Sequence, residues 1–343
     1  MVTQKMEAQK IKIAVVVLNW NGKLLLEKFL PILVKHSKEA TIFVADNGSS
    51  DNSIKFIEEN FPNVNIISNP TNEGYAKGYN DSLKKINAEY YMLINSDIQV
   101  KKDWLKPLLE LMENDLRIAA CQPKILDYNN KNIFEYAGAS GGFIDSLGYP
   151  FCRGRIFQIL ERDYGQYNDA TEIFWATGAC LLIKSDYYNE VNGLDEDFFA
   201  HQEEIDLCWR LKNKNLKIMV EPKSTVYHIG GGTLNASSPT KTYLNFRNNL
   251  FMLLKNLPID QVFTIIPLRL ILDGVAAITF INKEKGLEHI ISIVKAHFHF
   301  FIALPKLISK RQLINQKRKL TGRTNWSIII KNKVLGIRKF SDL

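Results

Sequence analysis

The chain has 343 residues, 46% hydrophobic and 23% charged, a globular composition that excludes disorder and allows one large core or two smaller ones. Its four cysteines, Cys121, Cys152, Cys180 and Cys208, are scattered with no CxxC pair, which argues against a zinc site and a disulfide framework and points to a reducing cytoplasm. The net charge of +8 is uneven: residues 282–343 carry fourteen Lys and Arg against three Asp and Glu, a net +11, which leaves −3 for residues 1–281.

The first apolar run, Ile13 to Leu18, reads as a buried strand. It is cut by Lys12 and ends at Asn19, too short for a signal peptide, so export by that route is not expected. A helix follows over Leu24 to Lys35, a strand over Thr41 to Ala45, and a helix over Ser53 to Asn60. Next come a short strand over Asn65 to Ser68, a helix over Ala76 to Ile86 and a strand over Tyr90 to Ile94. Elements of these lengths in alternation predict an α/β fold, a mostly parallel sheet with helices on both faces. Trp104 to Asn114 reads as a helix started by Asp103. Asp127 to Asp169, rich in Gly, Asn and Tyr, has no clean period and reads as a long loop with short strands, of the kind that serves as a lid. Phe174 to Lys184 regains strand character, Glu203 to Asn213 reads as a helix, and the chain is helical almost throughout from Tyr243.

Two of the apolar runs end in small acidic loops, Asp46-Asn47-Gly48-Ser49-Ser50-Asp51 and Asn95-Ser96-Asp97. Ligands of open α/β sheets gather just beyond the carboxyl ends of the strands, which is where Asp46 and Asp97 would sit. Carboxylates there accept hydrogen bonds from a base or ribose, or hold a hard divalent cation. The competing explanation is that both are turn acids, because Asp, Asn, Gly and Ser are the commonest turn formers.

Six ordered motifs over residues 11–256 together resemble the inverting family 2 glycosyltransferases with a Rossmann-like nucleotide-sugar-binding fold, most closely the rhamnosyltransferase-like members. They are VVVLNWNG at Val15 to Gly22, ADNGSSD at Ala45 to Asp51, NEGYAKGYN at Asn72 to Asn80 with Asn95-Ser96-Asp97 after it, WATGACLLIKSD at Trp175 to Asp186, GLDEDFFAHQEEIDLCWRL at Gly193 to Leu211, and VYHIGGGT at Val226 to Thr233. The resemblance implies nucleotide-sugar binding by Asn19, Asp46, Gly74, Lys77, Asn80 and Asp97, with Asp46 on the base or ribose. Asn95-Ser96-Asp97 fills the family's DxD slot with Asn in place of the first acid, so metal binding falls on Asp97, joined by His228. Trp175, Thr177 and Gly178 lie on the acceptor side. The acidic motif places catalysis on Glu203, Glu204 and Asp206. Its usual Glu-Asp pair is Glu203-Glu204 here, which makes Glu204, one methylene longer than the usual Asp, the general base.

The residue types suit the chemistry. Displacing a nucleoside diphosphate from a sugar carbon builds charge on the leaving phosphates, which Mg²⁺ or Mn²⁺ neutralises. A single displacement by an acceptor hydroxyl then needs a base, a role open to a desolvated Glu204. The implied donor is a dTDP- or UDP-linked sugar, and the implied acceptor a glycan or lipid-linked glycan. Two other readings stay open. A sugar nucleotidyltransferase also places metal-binding acids after parallel strands, although Asn19-Trp20-Asn21-Gly22 offers no cation before Lys23. A non-catalytic nucleotide-sugar binder is compatible with Asn95 and Glu204. Glu203, Glu204 and Asp206 also suit the N-terminal end of any helix dipole, and Gly230-Gly231-Gly232 reads equally as a flexible or a phosphate-facing loop.

This divides the chain into a catalytic domain over 1–256 and a helical, basic extension over 257–343. In Val262 to Ile281, twelve Val, Leu, Ile and Phe favour insertion by about 4 to 7 kcal/mol in all, while Arg269 and Asp273 cost roughly 2.5 to 3.5 each. These nearly cancel, though the two residues are four apart and can pair on one helical face. Leu287, Ile290, Ile291, Val294, Phe298 and Ile302 form an apolar stripe opposite Glu288, Ser292, Lys295, His299 and Lys306. The basic cluster that follows, Lys306, Lys310, Arg311, Lys317, Arg318 and Lys319, suits an anionic membrane surface. No aromatic residue lies between Lys306 and Arg323, which argues against nucleic acid. A peripheral position at the cytoplasmic face of the membrane is expected.

Overall fold

The structure, a computed structural model, describes residues 10–230, 238–313 and 322–343. Gly231, Gly232 and Thr233 of the last motif, and Lys317, Arg318 and Lys319 of the basic cluster, lie outside the described residues.

The N-terminal half alternates as the sequence predicts: β1 (Ile11–Asn19), α1 (Lys23–His36), β2 (Thr41–Asn47), α2 (Ser53–Asn60), β3 (Asn65–Asn69), α3 (Tyr75–Leu83) and β4 (Ala88–Asn95). Strands β3, β2, β1 and β4 lie side by side and parallel. Both faces of β1 are covered. Ile13, Val15 and Val17 pack with Leu26, Leu30 and Ile57 of α1 and α2, while Ala14 and Val16 pack with Tyr79 and Leu83 of α3. This two-sided burial is why the strand reads as a continuous apolar run rather than an alternation.

Beyond β4 the sheet becomes mixed. After β5 (Ile98–Gln99) and α4 (Leu105–Asn114) comes β6 (Ile118–Asp127), a fully integrated strand absent from the sequence reading. A small four-stranded sheet follows, β7 (Gly142–Ile144), β8 (Pro150–Cys152), β9 (Arg155–Ile156) and β10 (Ile159–Leu160), all antiparallel. It lies inside the stretch expected to be a loop with short strands. The main sheet resumes with β11 (Thr171–Ile173) and β12 (Cys180–Lys184), then helices α5 (Ser185–Glu190) and α6 (Glu203–Asn213), and strand β13 (Lys217–His228). Strand β12 runs antiparallel between β4 and β6, and β13 pairs parallel with β6.

Two local expectations are corrected. The strand predicted from Phe174 begins only at Cys180, because residues 174–179 are drawn aside. Gly142 N–H donates to Trp175 O, and Thr177 N–H to Gln122 Oε1. Asp103 does not cap α4: it sits at φ 57°, the N-cap is Trp104, and no side chain caps the helix.

From Tyr243 the described chain is helical as predicted: α7 (Pro239–Asn256) closes the region expected to be catalytic, and α8 (Ile259–Ile278) and α9 (Gly286–Leu313) belong to the extension. Arg269 and Asp273 do pair, at 3.6 Å, and both face inward. Arg269 donates to Leu147 O at 2.9 Å and its guanidinium lies 3.5 Å from the centre of the Tyr149 ring. The stripe on α9 points the other way from a soluble helix. Leu287, Ile291, Val294, Phe298 and Ile302 are exposed, whereas Ile293, Ala296, Phe300 and Leu307 are buried.

Lys255 of α7 is buried between two carboxylates, 2.5 Å from Asp195 and 2.8 Å from Asp206. Replacing Lys255 with Ala removes the cation that these two buried acids share, leaving Asp195 to Lys310 and Asp206 to Arg210. An unfolding free energy lower by about 3–5 kcal/mol is expected, read as a fall in the urea midpoint at unchanged slope.

Candidate active site

The carboxyl ends of β1, β2 and β4 form a crevice whose loops are tied to one another. Asn19 and Asp46 end their strands in direct register. Asn19 Nδ2 donates to Asp46 Oδ1 at 2.9 Å, and Asp46 Oδ2 accepts from Ser49 N–H at 2.9 Å. Asp51 accepts from the Lys23 N–H at the start of α1, so it anchors that helix. Both Asn19 and Asp46 are buried, and Asn19 Oδ1 has no partner. A buried amide oxygen left open is what a ligand donor would need.

The segment matching NEGYAKGYN serves several purposes. Gly74 has φ 94°, and a Cβ there would lie 2.5 Å from Phe199 O. Only glycine lets α3 start this close to the loop before α6, where Tyr75 N–H donates to Phe199 O at 2.6 Å. Lys77 is not a free cation. It lies 2.5 Å from Asp81 and 3.4 Å from Glu73 on the surface of α3. Asn80 is also turned from the crevice: its Nδ2 donates to Leu194 O and Glu196 Oε1, and its Oδ1 accepts from Tyr188 OH and Leu194 N–H. With every valence used, Asn80 fastens α3 to the loop that leads to α6.

Asp97 and His228 meet because β5 pairs with β13, with His228 opposite Ile98. The ring Nε2 lies 3.0 Å from Asp97 Oδ1, and Nδ1 lies 3.2 Å from Glu135 Oε1. The second contact is ionic and off the line of a hydrogen bond, since Nδ1 has no hydrogen-bond partner. Burial opposes a charge on His228, yet the Glu135 and Asp97 carboxylates raise its pKa to about 10. One carboxylate and one imidazole in contact suit a divalent cation that takes its other ligands from phosphate and water. Among the described residues no third His, Cys, Asp or Glu joins them as a metal-ligating group. Glu135 touches the far ring nitrogen, the position of a carboxylate that orients a metal-ligating histidine.

Thr177 and Gly178 lie at the entry to β12. Tyr75 OH donates to Gly178 O at 2.6 Å, and Asn95 N–H to Ala179 O, which joins this segment to α3 and to the Asp97 loop. Trp175 is buried, with Nε1 donating to Phe143 O.

The acidic helix α6 follows a loop with Phe199, His201 and Gln202 all at positive φ (62°, 71° and 70°). Each costs on the order of 1–3 kcal/mol, and α7 supplies the restraint. Asn248 Nδ2 donates to Phe198 O, Ala200 O and His201 O, and Asn249 Nδ2 to Gln202 Oε1. Arg247 donates to Asp197 O and Phe198 O. The loop delivers Glu203 and Glu204 into the first turn of α6, where the Oε2 atom of each is buried and has no hydrogen-bond partner. Burial, and then Glu204, push Glu203 well above the carboxylate range, and burial pushes Glu204 up to about 7. Asp206 differs. Its Oδ1 accepts from Lys255 and Asn256 and its Oδ2 from Arg210, so burial is outweighed by the two cations and its pKa is lowered. These bonds occupy Asp206 in the core beneath the helix.

The profile of Glycosyl transferase family 2 matches residues 14–191. The chain belongs to glycosyl transferase family 2. Membership settles the choice among transferase, nucleotidyltransferase and non-catalytic binder in favour of an enzyme of the first kind. The family 2 chain is similar to the low-salt glycan biosynthesis hexosyltransferase Agl10 of Haloferax volcanii, 22% identical over 242 residues, 69% of this chain and 73% of that protein. It is also similar to N-acetylglucosaminyl-diphospho-decaprenol L-rhamnosyltransferase of Mycobacterium tuberculosis, 24% identical over 220 residues, 59% of this chain and 71% of that protein. The crystal structure of GalNAc-T7 with UDP, GalNAc and Mn²⁺ shares the fold, with a TM-score of 0.55 and 15% identity over 72% of this chain and 48% of that one. This chain thus spans about half the length of GalNAc-T7.

Glu135, the Arg247-Asn248-Asn249 clamp and Lys255 were not anticipated from sequence. The clamp had one signal, a run of polar residues inside an otherwise apolar helix. Replacing Asn80 with Ala removes four hydrogen bonds at once. A stability loss of about 1–3 kcal/mol is expected, with faster hydrogen exchange at the Leu194 amide.

Proposed function

We propose that the chain is an inverting transferase that moves a hexose or deoxyhexose, rhamnose included, from a dTDP- or UDP-linked sugar to a hydroxyl of a glycan or lipid-linked glycan at the cytoplasmic face of the membrane. The observation that carries this reading is the shielded Glu203-Glu204 pair, whose Oε2 atoms have no partner and whose Glu204 has a pKa near 7. A general base works best when its pKa lies near the working pH. The names of the Haloferax and mycobacterial relatives support a glycan and a lipid-diphosphate acceptor, and the GalNAc-T7 complex supports a nucleotide donor with a divalent cation.

In this reading Asn19 Oδ1 and Asp46 receive the donor's base and ribose, and the segment from Trp175 to Gly178 borders the acceptor. Asp97 and His228 would hold Mg²⁺ or Mn²⁺, which would neutralise the charge that develops on the leaving diphosphate. Glu204 takes the proton of the acceptor hydroxyl. The hydroxyl oxygen forms its bond to the anomeric carbon on the face opposite the departing phosphate oxygen, and one displacement inverts the centre. Glu203, held protonated more firmly, leaves Glu204 as the acceptor of the proton. Asp206 keeps the helix in place and does not touch substrate.

Glu204→Gln fills the same space and cannot take a proton, so transfer should fall by about 10²–10⁴-fold with donor affinity retained, and Glu203→Gln should cost less. A reversed ranking in initial rates would move the base to Glu203. Because the base acts when deprotonated, kcat/KM of the unaltered enzyme should rise with pH and level off above about 7. Asp97→Ala should abolish the cation-dependent part of donor affinity measured by calorimetry, and His228→Ala should weaken it. Full activity of Asp97→Ala in chelator would sink the metal assignment.

A further inference from the structure

Helices α8 and α9 are turned inside out relative to surface helices of a soluble protein. Three of their polar side chains turn to the body: Arg269 and Asp273 are 3% and 1% exposed, and His297 Nε2 lies 3.3 Å from Asp273 Oδ2. Their outward side chains are apolar. On α8 Phe263 is 74% and Ile271 64% exposed, and on α9 Leu287 is 71%, Val294 64% and Phe298 62% exposed. These residues recur at helical spacing, so each helix presents one continuous stripe. Monomeric proteins rarely expose so much contiguous apolar surface without a partner.

We propose that the outward faces of α8 and α9 form a single lipid-facing surface that seats the protein on an anionic bilayer without crossing it. This deepens the transferase reading by naming the surface that brings the enzyme to a lipid-linked acceptor. Both helices are long and apolar enough to cross a membrane by length and composition. Crossing would strip Arg269 from Leu147 O and the Tyr149 ring and place it with Asp273 in hydrocarbon. Lying in the interface keeps those contacts and buries only the outward stripe. A second copy of the chain fits the surface poorly. Residues 282–343 carry a net +11, and a two-fold contact would set this excess against itself. Anionic headgroups are drawn to the same excess. Lys283 and Lys285 at the α8–α9 turn and Lys295 on α9 are exposed to meet them.

The surface is mechanically tied to the site. Near the end of α9, Lys306 lies 2.5 Å from Asp197 and Lys310 lies 2.7 Å from Asp197 and pairs with Asp195. These aspartates begin the loop that leads to Glu203 and Glu204, so docking of α9 fixes the attitude of that loop toward the membrane.

The test is flotation of the full chain and of Phe263→Glu/Phe298→Glu with vesicles of phosphatidylcholine alone or mixed with phosphatidylglycerol, at low and high salt. Both side chains are mostly exposed, so the thermal midpoint should move little. The unaltered chain should float with the anionic vesicles, less so at high salt, and be released by alkaline carbonate. The double variant should bind about tenfold more weakly or worse. Equal flotation of the two chains, flotation of neither, or retention after carbonate overturns the proposal. So does a dimer in sedimentation that the variant dissolves while neither chain floats, which would make the surface a contact between copies. Calorimetry with UDP and Mn²⁺ on the same samples reports on the transferase reading by itself, because its failure leaves the flotation result unaffected.

Discussion

The restraint of one loop by charge and amide contacts is the constraint on which the site depends. Residues 195–202 connect α5 to α6 and hold three non-glycine residues at positive φ within four positions. Nothing local pays that strain back. It is offset by contacts from residues far along the chain: Arg247, Asn248 and Asn249 on the loop's carbonyls and Gln202, Lys255 between Asp195 and Asp206, and Lys306 and Lys310 on Asp195 and Asp197. A buried ion pair of this sort gives little net stability, because desolvation consumes most of the Coulombic gain. Its effect is specificity: with Lys255 present, only one arrangement of the loop leaves no buried acid uncompensated.

The same economy separates the two groups of acids in the crevice. Asp97 and Glu135 share His228, whose positive charge balances them in the protein as it stands. Glu203 and Glu204 have no cation against them and are protonated more readily because of it. Carboxylates set in such different surroundings, one pair against an imidazole and the other buried without a cation, are a basis for dividing electrostatic from proton-transfer duties. Asp206 is a third case on the same helix as the pair. One turn beyond Glu203 it meets Lys255 and Arg210 and becomes a permanent anion.

What the sequence made legible follows from how local each signal is. Strands β1, β2 and β4 are apolar on both faces, so their composition announces them, and α2 and α6 were bounded to the residue. Strand β6 escaped because Gln122 and Lys124 interrupt its apolar run. Their side chains find partners far along the chain, Gln122 Oε1 accepting from Thr177 N–H and Lys124 pairing with Asp163 and Asn168. The motifs pointed to Asn19 with Asp46 and to Asp97 with His228, and each pair is in contact, yet a motif cannot say whether a polar side chain faces ligand or protein. Asn80 and Lys77 face protein. For α9 the periodicity gave the stripe but not its direction, since burial of the opposite face depends on Phe300 and Leu307 packing against elements far away in sequence.

The proposed base owes its pKa to a balance that helix geometry sets. Desolvation raises a buried glutamate, and for Glu203 the neighbouring Glu204 adds to it. Glu204 stands in the first turn of α6, whose N-cap Gln202 supplies no side-chain cap, so the N–H groups of that turn lack intrahelical acceptors. The amides of Glu204, Ile205 and Gln202 pull its carboxylate back down against burial. The left-handed conformation of Gln202 starts the helix abruptly. The strained loop, the uncapped helix end and the intermediate pKa are therefore one device. Relaxing the loop would let water or a side chain satisfy those amides and uncouple them from Glu204.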